Sequence, residues 1–189
     1  MKVSTVQKKK RATKQRILEE SRQLFFRSGF SKVAMEEVAD RLGMSKKTLY
    51  DYFPSKEGLF QEVIRLQMEE VDAKLDAIYR RRDINPLEKL KLLTSFISGL
   101  FGRMNSVVIH DLRRSAPDLC KQVENHREER LRTDFANLIR EGRNKNFFRR
   151  DVDERLFLFI YSRICETILH PDLLAGLPFD PSQVFEATM

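Results

Sequence analysis

The sequence predicts an all-α protein, a small three-helix N-terminal domain followed by a C-terminal helical bundle, and three observations carry this reading. Apolar residues recur at spacings of three and four along almost the whole chain, which is the period of a helix with one buried face. Glycine and proline are scarce, 7 and 6 among 189 residues, so chain-breaking chemistry is confined to a few points. Period-two alternation over four or more residues is missing, and no strand is predicted.

The first helix is expected from about Thr13 to Arg27, because Ile17, Leu18, Ser21, Leu24 and Phe25 form one stripe that Gly29 ends. A short second helix, about Met35 to Leu42, turns Val38, Ala39 and Leu42 to the same interior. A third starts at Ser45, a good N-cap, and must stop by Pro54. The fourth starts at Ser55, again a capping hydroxyl, and its stripe Leu59, Phe60, Val63, Ile64, Val71, Leu75, Ile78 carries it to about Arg82.

Arg80-Arg81-Arg82-Asp83-Ile84-Asn85-Pro86 then interrupts the pattern, with Pro86 suited to the first position of a new helix. Further helices are expected over 86–104, 106–115, 117–142 and 153–169, with a last one from Pro181. The organisation read from this is a flexible basic arm at 1–12, a first domain at 13–60 and a second at 61–189, with the hinge near the long fourth helix.

Charge is distributed unevenly. Residues 1–60 carry 14 Lys and Arg against 7 Asp and Glu, so the whole formal charge of +7 lies there and the remainder is balanced. A concentrated positive face is what a polyanion needs, since each neutralised phosphate releases counterions. Cys120 and Cys165 stand far apart, with no CxxC or Cys/His spacing, which predicts reduced core thiols and neither a disulfide framework nor a metal site. No run of about 18 apolar residues occurs and no apolar signal core follows the first charges, so no membrane partner is expected and the location read is cytoplasmic.

Met35 to Phe53 meets the mechanical needs of two short helices crossing at a tight turn. Ala39 is small where the helices pack closest, Gly43 accepts the positive φ of the turn, and Val38, Leu42, Met44 and Leu49 anchor both helices. The exposed side then consists of Ser45, Lys46, Lys47, Thr48, Tyr50 and Tyr52, all able to hydrogen-bond phosphates or base edges. Lys56 and the run Lys8, Lys9, Lys10, Arg11 would extend that footprint along a strand or into the minor groove.

These residues resemble the TetR family of regulators. The resemblance rests on Phe25-Phe26-Arg27-Ser28-Gly29-Phe30, on Val38-Ala39, and on Gly43-Met44-Ser45-Lys46-Lys47-Thr48-Leu49-Tyr50-Asp51-Tyr52-Phe53-Pro54-Ser55-Lys56-Glu57-Gly58-Leu59, and it covers residues 12 to about 64. It implies a homodimer whose two recognition helices enter successive major grooves of a double-stranded palindromic operator. A small-molecule effector, partly apolar, would bind the C-terminal regulatory and dimerisation domain and release the protein, usually a repressor. Carried over by position, Lys46, Thr48, Tyr50 and Tyr52 would be the main contacts and Lys56 a phosphate clamp.

Two departures from the family pattern matter. Lys47 stands where many relatives have Gly, adding a charge and a side chain. Ala34 stands where relatives often have a capping Ser or Thr, so about 1 kcal/mol of cap stabilisation is expected from elsewhere, with Ser31 the candidate. Weaker similarities, Leu112-Arg113-Arg114 with Pro117, and Gly142 followed by Phe148-Arg149-Arg150-Asp151, bear only on the domain boundary; relatives often end a long helix with such a Gly-containing turn. In relatives the helix over 153–169 and a following one make a four-helix dimer interface; here the last runs only from Pro181 to Met189.

The C-terminal stripes read first as core. Phe96, Leu100, Met104, His110, Phe135, Tyr161 and Cys165 are the candidate effector-pocket residues, because they place polar or adaptable atoms near an apolar stripe. The cluster Glu124, Arg127, Glu128, Glu129, Arg130 reads as an i, i+4 salt-bridged surface. No phosphate loop, nucleophile elbow or His pair at metal-ligand spacing occurs, so neither an enzyme nor a cofactor is indicated. The competing reading is an all-helical protein-interaction module whose basic N-terminus serves a protein partner and binds no operator.

Overall fold

The computed structural model describes residues 5–101 and 106–151, and beyond these residues 153, 155, 156, 159, 160 and 163. Among them it contains seven helices and no strand: α1 (Thr5–Ser28), α2 (Met35–Leu42), α3 (Lys46–Tyr52), α4 (Lys56–Tyr79), α5 (Pro86–Phe101), α6 (Ser106–Ser115) and α7 (Pro117–Asn144). Residues 155, 156, 159, 160 and 163 are also helical. The helix expected from Pro181 and the end of that expected over 153–169 lie outside the described residues.

Most boundaries follow their punctuation. The Ser55 hydroxyl accepts the Gly58 N–H at 3.0 Å, capping α4. Pro86 opens α5 behind a reciprocal box in which Asn85 Oδ1 accepts the Glu88 N–H and Glu88 Oε2 accepts the Asn85 N–H, each at 2.9 Å. The flexible arm expected over 1–12 is corrected from Thr5 onward, where α1 already runs. Gln, Lys, Arg and Ala are strong helix formers, and residues 5–12 contain no Gly or Pro to delay nucleation.

The end of α7 differs in mechanism from the expectation. Gly142 does not terminate it; the helix continues to Asn144, and Asn146 takes the left-handed turn at φ 59°. Gly142 instead leaves room for the Phe148 ring, whose nearest atom lies 2.0 Å from where a Cβ would stand. Phe147 N–H closes the turn on the Gly142 carbonyl at 2.8 Å.

The chain divides into two compact units. The first holds the described residues through Glu70 together with α6 and the start of α7 to Cys120; the second holds the rest. The division thus falls inside α4, at 70 where 60 was expected, and α6 belongs with the N-terminal helices. The first unit's core joins Ile17, Leu24 and Phe25 of α1, Val38 and Ala39 of α2, Leu49 of α3 and Leu59, Phe60 and Val63 of α4, all 2 % exposed or less. At its centre three rings meet: Phe25 and Phe60 edge to face at 5.1 Å, and Phe30 and Phe60 tilted at 4.7 Å. Burying each such side chain stabilises by about 1.5–3 kcal/mol, which fixes the short α2 and α3 that could not persist alone.

The second unit has its own cluster, Leu90 and Leu93 of α5 with Phe135, Leu138 and Ile139 of α7, backed by Leu75, Ile78 and Tyr79 of α4. Lys89 is buried there, with Nζ on Glu141 Oε2 at 2.8 Å and on the Tyr79 carbonyl at 3.1 Å. Arg130 corrects the expected i, i+4 surface of glutamates: it turns to aspartates, Asp76 at 2.7 Å, Asp134 at 2.9 Å and Asp72 at 3.5 Å. His126 Nε2 meets Asp72 at 2.7 Å, so this histidine is partnered. Cys120 is buried, and Cys165 lies outside the described residues. Among the described residues no helix is long and apolar enough to cross a membrane.

Candidate nucleic-acid interface

The turn between α2 and α3 begins with backbone geometry. Gly43 adopts φ 63°, ψ 34°, the left-handed conformation that a Cβ disfavours. Its N–H reaches the Asp40 carbonyl at 3.1 Å and the Met44 N–H reaches Ala39 at 3.0 Å, which satisfies the last carbonyls of α2 and reverses the chain. Ser45 then caps α3: its Oγ accepts the Thr48 N–H at 3.1 Å and shares a hydrogen bond with Thr48 Oγ1 at 2.8 Å. Leu49 is fully buried and pins the helix to the core, which determines the face that α3 leaves to solvent.

Of the predicted contact residues, Lys46, Lys47 and Tyr50 are exposed on α3, Thr48 and Tyr52 are half-buried, and Ser45 is exposed while serving as the cap. The hydroxyls of Ser45 and Thr48 are thus engaged with each other, while Lys46, Lys47 and Tyr50 are exposed to solvent. Lys46 is oriented from two sides. Its Nζ pairs with the Glu36 carboxylate on the first turn of α2 and stands 5.9 Å from the Tyr50 ring centroid. That hydrogen bond from Lys46 holds the Glu36 carboxyl below its ordinary range.

Lys56, expected as a phosphate clamp, is half-buried at the start of α4. Its Nζ lies 4.4 Å from the centroid of the Phe30 ring and 3.4 Å from the Ser31 carbonyl, and burial pushes its pKa down. Ser31 does not supply the missing cap of α2, correcting that expectation. Its N–H and Oγ both donate to Asp111 of α6, at 2.9 and 3.1 Å, because Asp111 is buried beside it and takes both donors. Ala34 makes no side-chain cap bond, and Glu36 and Glu37 in the first turn complement the positive end of α2. Lys8, Lys9, Lys10 and Arg11 are exposed on the first turns of α1.

Four of the seven effector-pocket candidates lie among the described residues. Phe135 is core, 2 % exposed in the cluster with Leu90 and Leu93. Phe96 and Leu100 are half-buried on α5, while His110 is exposed on α6, in the other unit. Met104, Tyr161 and Cys165 lie outside the described residues.

Glu36, Asp111 and Ser31's role were missed in the sequence. Only the crossing of α2 and α3 sets Glu36 beside Lys46, ten positions on. Asp111 stands 80 residues from Ser31, a separation over which periodicity is silent.

Comparison with known proteins accords with this geometry. The profile of the family described as "Bacterial regulatory proteins, tetR family" matches residues 17–63, from within α1 into the first turns of α4. The uncharacterized HTH-type transcriptional regulator YvaF of Bacillus subtilis (strain 168) is 28% identical over 173 residues, 91% of this chain and 89% of that protein. The HTH-type transcriptional repressor KstR of Rhodococcus jostii (strain RHA1) is 35% identical over 95 residues, 50% of this chain and 42% of that protein. Among solved structures, the transcriptional regulator FadR from Bacillus subtilis in complex with stearoyl-CoA superposes with a TM-score of 0.65 at 20% identity, covering 92% of this chain and 94% of that one.

Proposed function

We propose that the chain is a regulator of the TetR family, whose profile matches residues 17–63, and that it acts in the cytoplasm as a homodimeric repressor of a palindromic operator, released by a small-molecule effector. The observation that carries the DNA-binding part is the exposed face of α3. Its cap is satisfied internally by Ser45 and Thr48, its apolar side is buried through Leu49, and Lys46, Lys47 and Tyr50 are left for phosphates and base edges. The helical, exposed run Lys8 to Arg11 adds phosphate contacts beyond that face. Leu156, Phe159 and Ile160, 57, 57 and 50 % exposed at i, i+3, i+4 spacing, support the homodimer, since a second copy would cover them.

An acyl or other partly apolar effector accords with FadR, which was crystallised with stearoyl-CoA, and with the ketosteroid transcriptional regulator KstR2 of Mycobacterium tuberculosis among the fold neighbours. The reading is non-enzymatic. It is tested by fluorescence-anisotropy titration of duplexes from upstream of the protein's own gene at several salt concentrations. Binding that selects one palindromic fragment, weakens with salt and disappears in Tyr50→Ala supports it; binding indifferent to both sequence and substitution overturns it in favour of the protein-interaction module. Tyr50 is exposed, so its removal leaves the fold intact.

A further inference from the structure

The pairing of Glu36 with Lys46 puts a carboxylate on the face offered to a polyanion. Both side chains are more than half exposed, 54 and 55 %, so nothing in the packing of the core requires the pair. A carboxylate beside phosphates repels them, and it occupies the ammonium that would otherwise release a counterion on contact. Surface ion pairs of this kind are worth little on their own and exchange readily. Glu37, in the same helical turn, already complements the positive end of α2 without touching Lys46. Glu36 is ionised in the neutral range, as any exposed glutamate is, and the Lys46 hydrogen bond lowers its pKa further.

We propose that Glu36 is a specificity-determining residue: as the built-in counter-ion of Lys46 it withholds the first cation of the recognition helix from random phosphates and yields it only where a base edge or a cognate phosphate competes better. This rests on the DNA-binding reading above. At a random site, moving Lys46 onto a phosphate leaves Glu36 unpaired against negative charge, so the contact gains almost nothing. At the selected site Lys46 finds acceptors held in place by the other contacts, and the Tyr50 ring beside it keeps its head near the groove.

The test compares full-length wild type, Glu36→Gln, Glu37→Gln, Lys46→Gln and the Glu36→Gln/Lys46→Gln double variant. Each is titrated onto the duplex that wild type selects and onto a random-sequence duplex of equal length, over a range of salt, with circular dichroism confirming the fold. Glu36→Gln is expected to tighten random-duplex binding about fivefold near physiological salt and to steepen its log K against log salt slope by about 0.9, one further phosphate. Its gain on the selected duplex is smaller, so the specificity ratio falls. Glu37→Gln shifts binding by clearly less than Glu36→Gln, and in the Lys46→Gln background the effect of Glu36→Gln shrinks to the small gain from lost repulsion. Equal shifts from Glu36→Gln and Glu37→Gln, or an unchanged ratio, overturn the proposal while leaving DNA binding intact. A wild type that binds neither duplex in a salt-dependent way overturns the DNA-binding reading and this inference together.

Discussion

Asp111 on α6 accepts two hydrogen bonds from one residue of the α1–α2 connection, the Ser31 N–H at 2.9 Å and its hydroxyl at 3.1 Å. Ser31 in turn offers its carbonyl to Lys56 at the start of α4. One carboxylate thereby ties α6 to the segment that leads into α2. Asp111→Ala leaves the Ser31 N–H without its acceptor and is expected to destabilise by about 1–3 kcal/mol, against about 1 kcal/mol for Ser31→Ala, which removes only the hydroxyl. Urea unfolding of both variants measures the difference; equal effects would show that the main-chain bond contributes nothing.

Gly43 is a purely conformational requirement. A Cβ there meets no atom within 4 Å, so the penalty of Gly43→Ala comes from φ +63° alone and is expected at about 1–2 kcal/mol. Gly43→Asn should lose less, since Asn tolerates this region best among residues with a Cβ. Thermal melts of the two variants decide it; Ala as stable as Gly would sink the argument.

Gly142 is the opposite case. A Cβ would fall 2.0 to 2.8 Å from the Phe148 ring, and Gly142→Ala is expected to destabilise by about 1–3 kcal/mol through overpacking. Phe148→Leu removes the obstruction, so the double variant should be more stable than the sum of the two single changes implies. A double-mutant cycle by chemical denaturation tests this, and strict additivity would contradict it.

Glu62 bridges α1 and its own helix, accepting from Lys14 at 2.9 Å and from Arg65 at 2.8 Å. Its pKa is lowered from 4.5 to about 2, chiefly by the Arg65 hydrogen bond and then by that from Lys14. A depressed carboxylate contributes stability that is fully present above its unfolded pKa and is lost as pH falls through the folded one. Stability should therefore decline between about pH 4.5 and 2, and Glu62→Gln should flatten that decline. Because Lys14 is about half exposed, screening keeps the contribution small. Denaturant midpoints measured across this window, wild type against Glu62→Gln, provide the check.

The amino-acid order alone determined what depends on neighbours a few positions apart. The stripe from Ile17 to Phe25, the Ser45 and Ser55 caps, Pro86 at a helix start and the left-handed Gly43 are each legible within about five residues, because capping, periodicity and turn chemistry act over that distance. So was the identity of the exposed α3 residues, since burying Leu49 leaves Lys46, Lys47 and Tyr50 no other side to face. The tertiary structure decided what depends on residues far apart in the chain: that Lys46 meets Glu36, that Ser31 answers Asp111 and not the open end of α2, that Arg130 turns to the aspartates of α4, and that Phe135 is core. Hydrogen bonds and ion pairs are made across space by whichever side chains packing brings within about 3 Å, and apolar burial, which does the bringing, carries no record of which polar partner will be met.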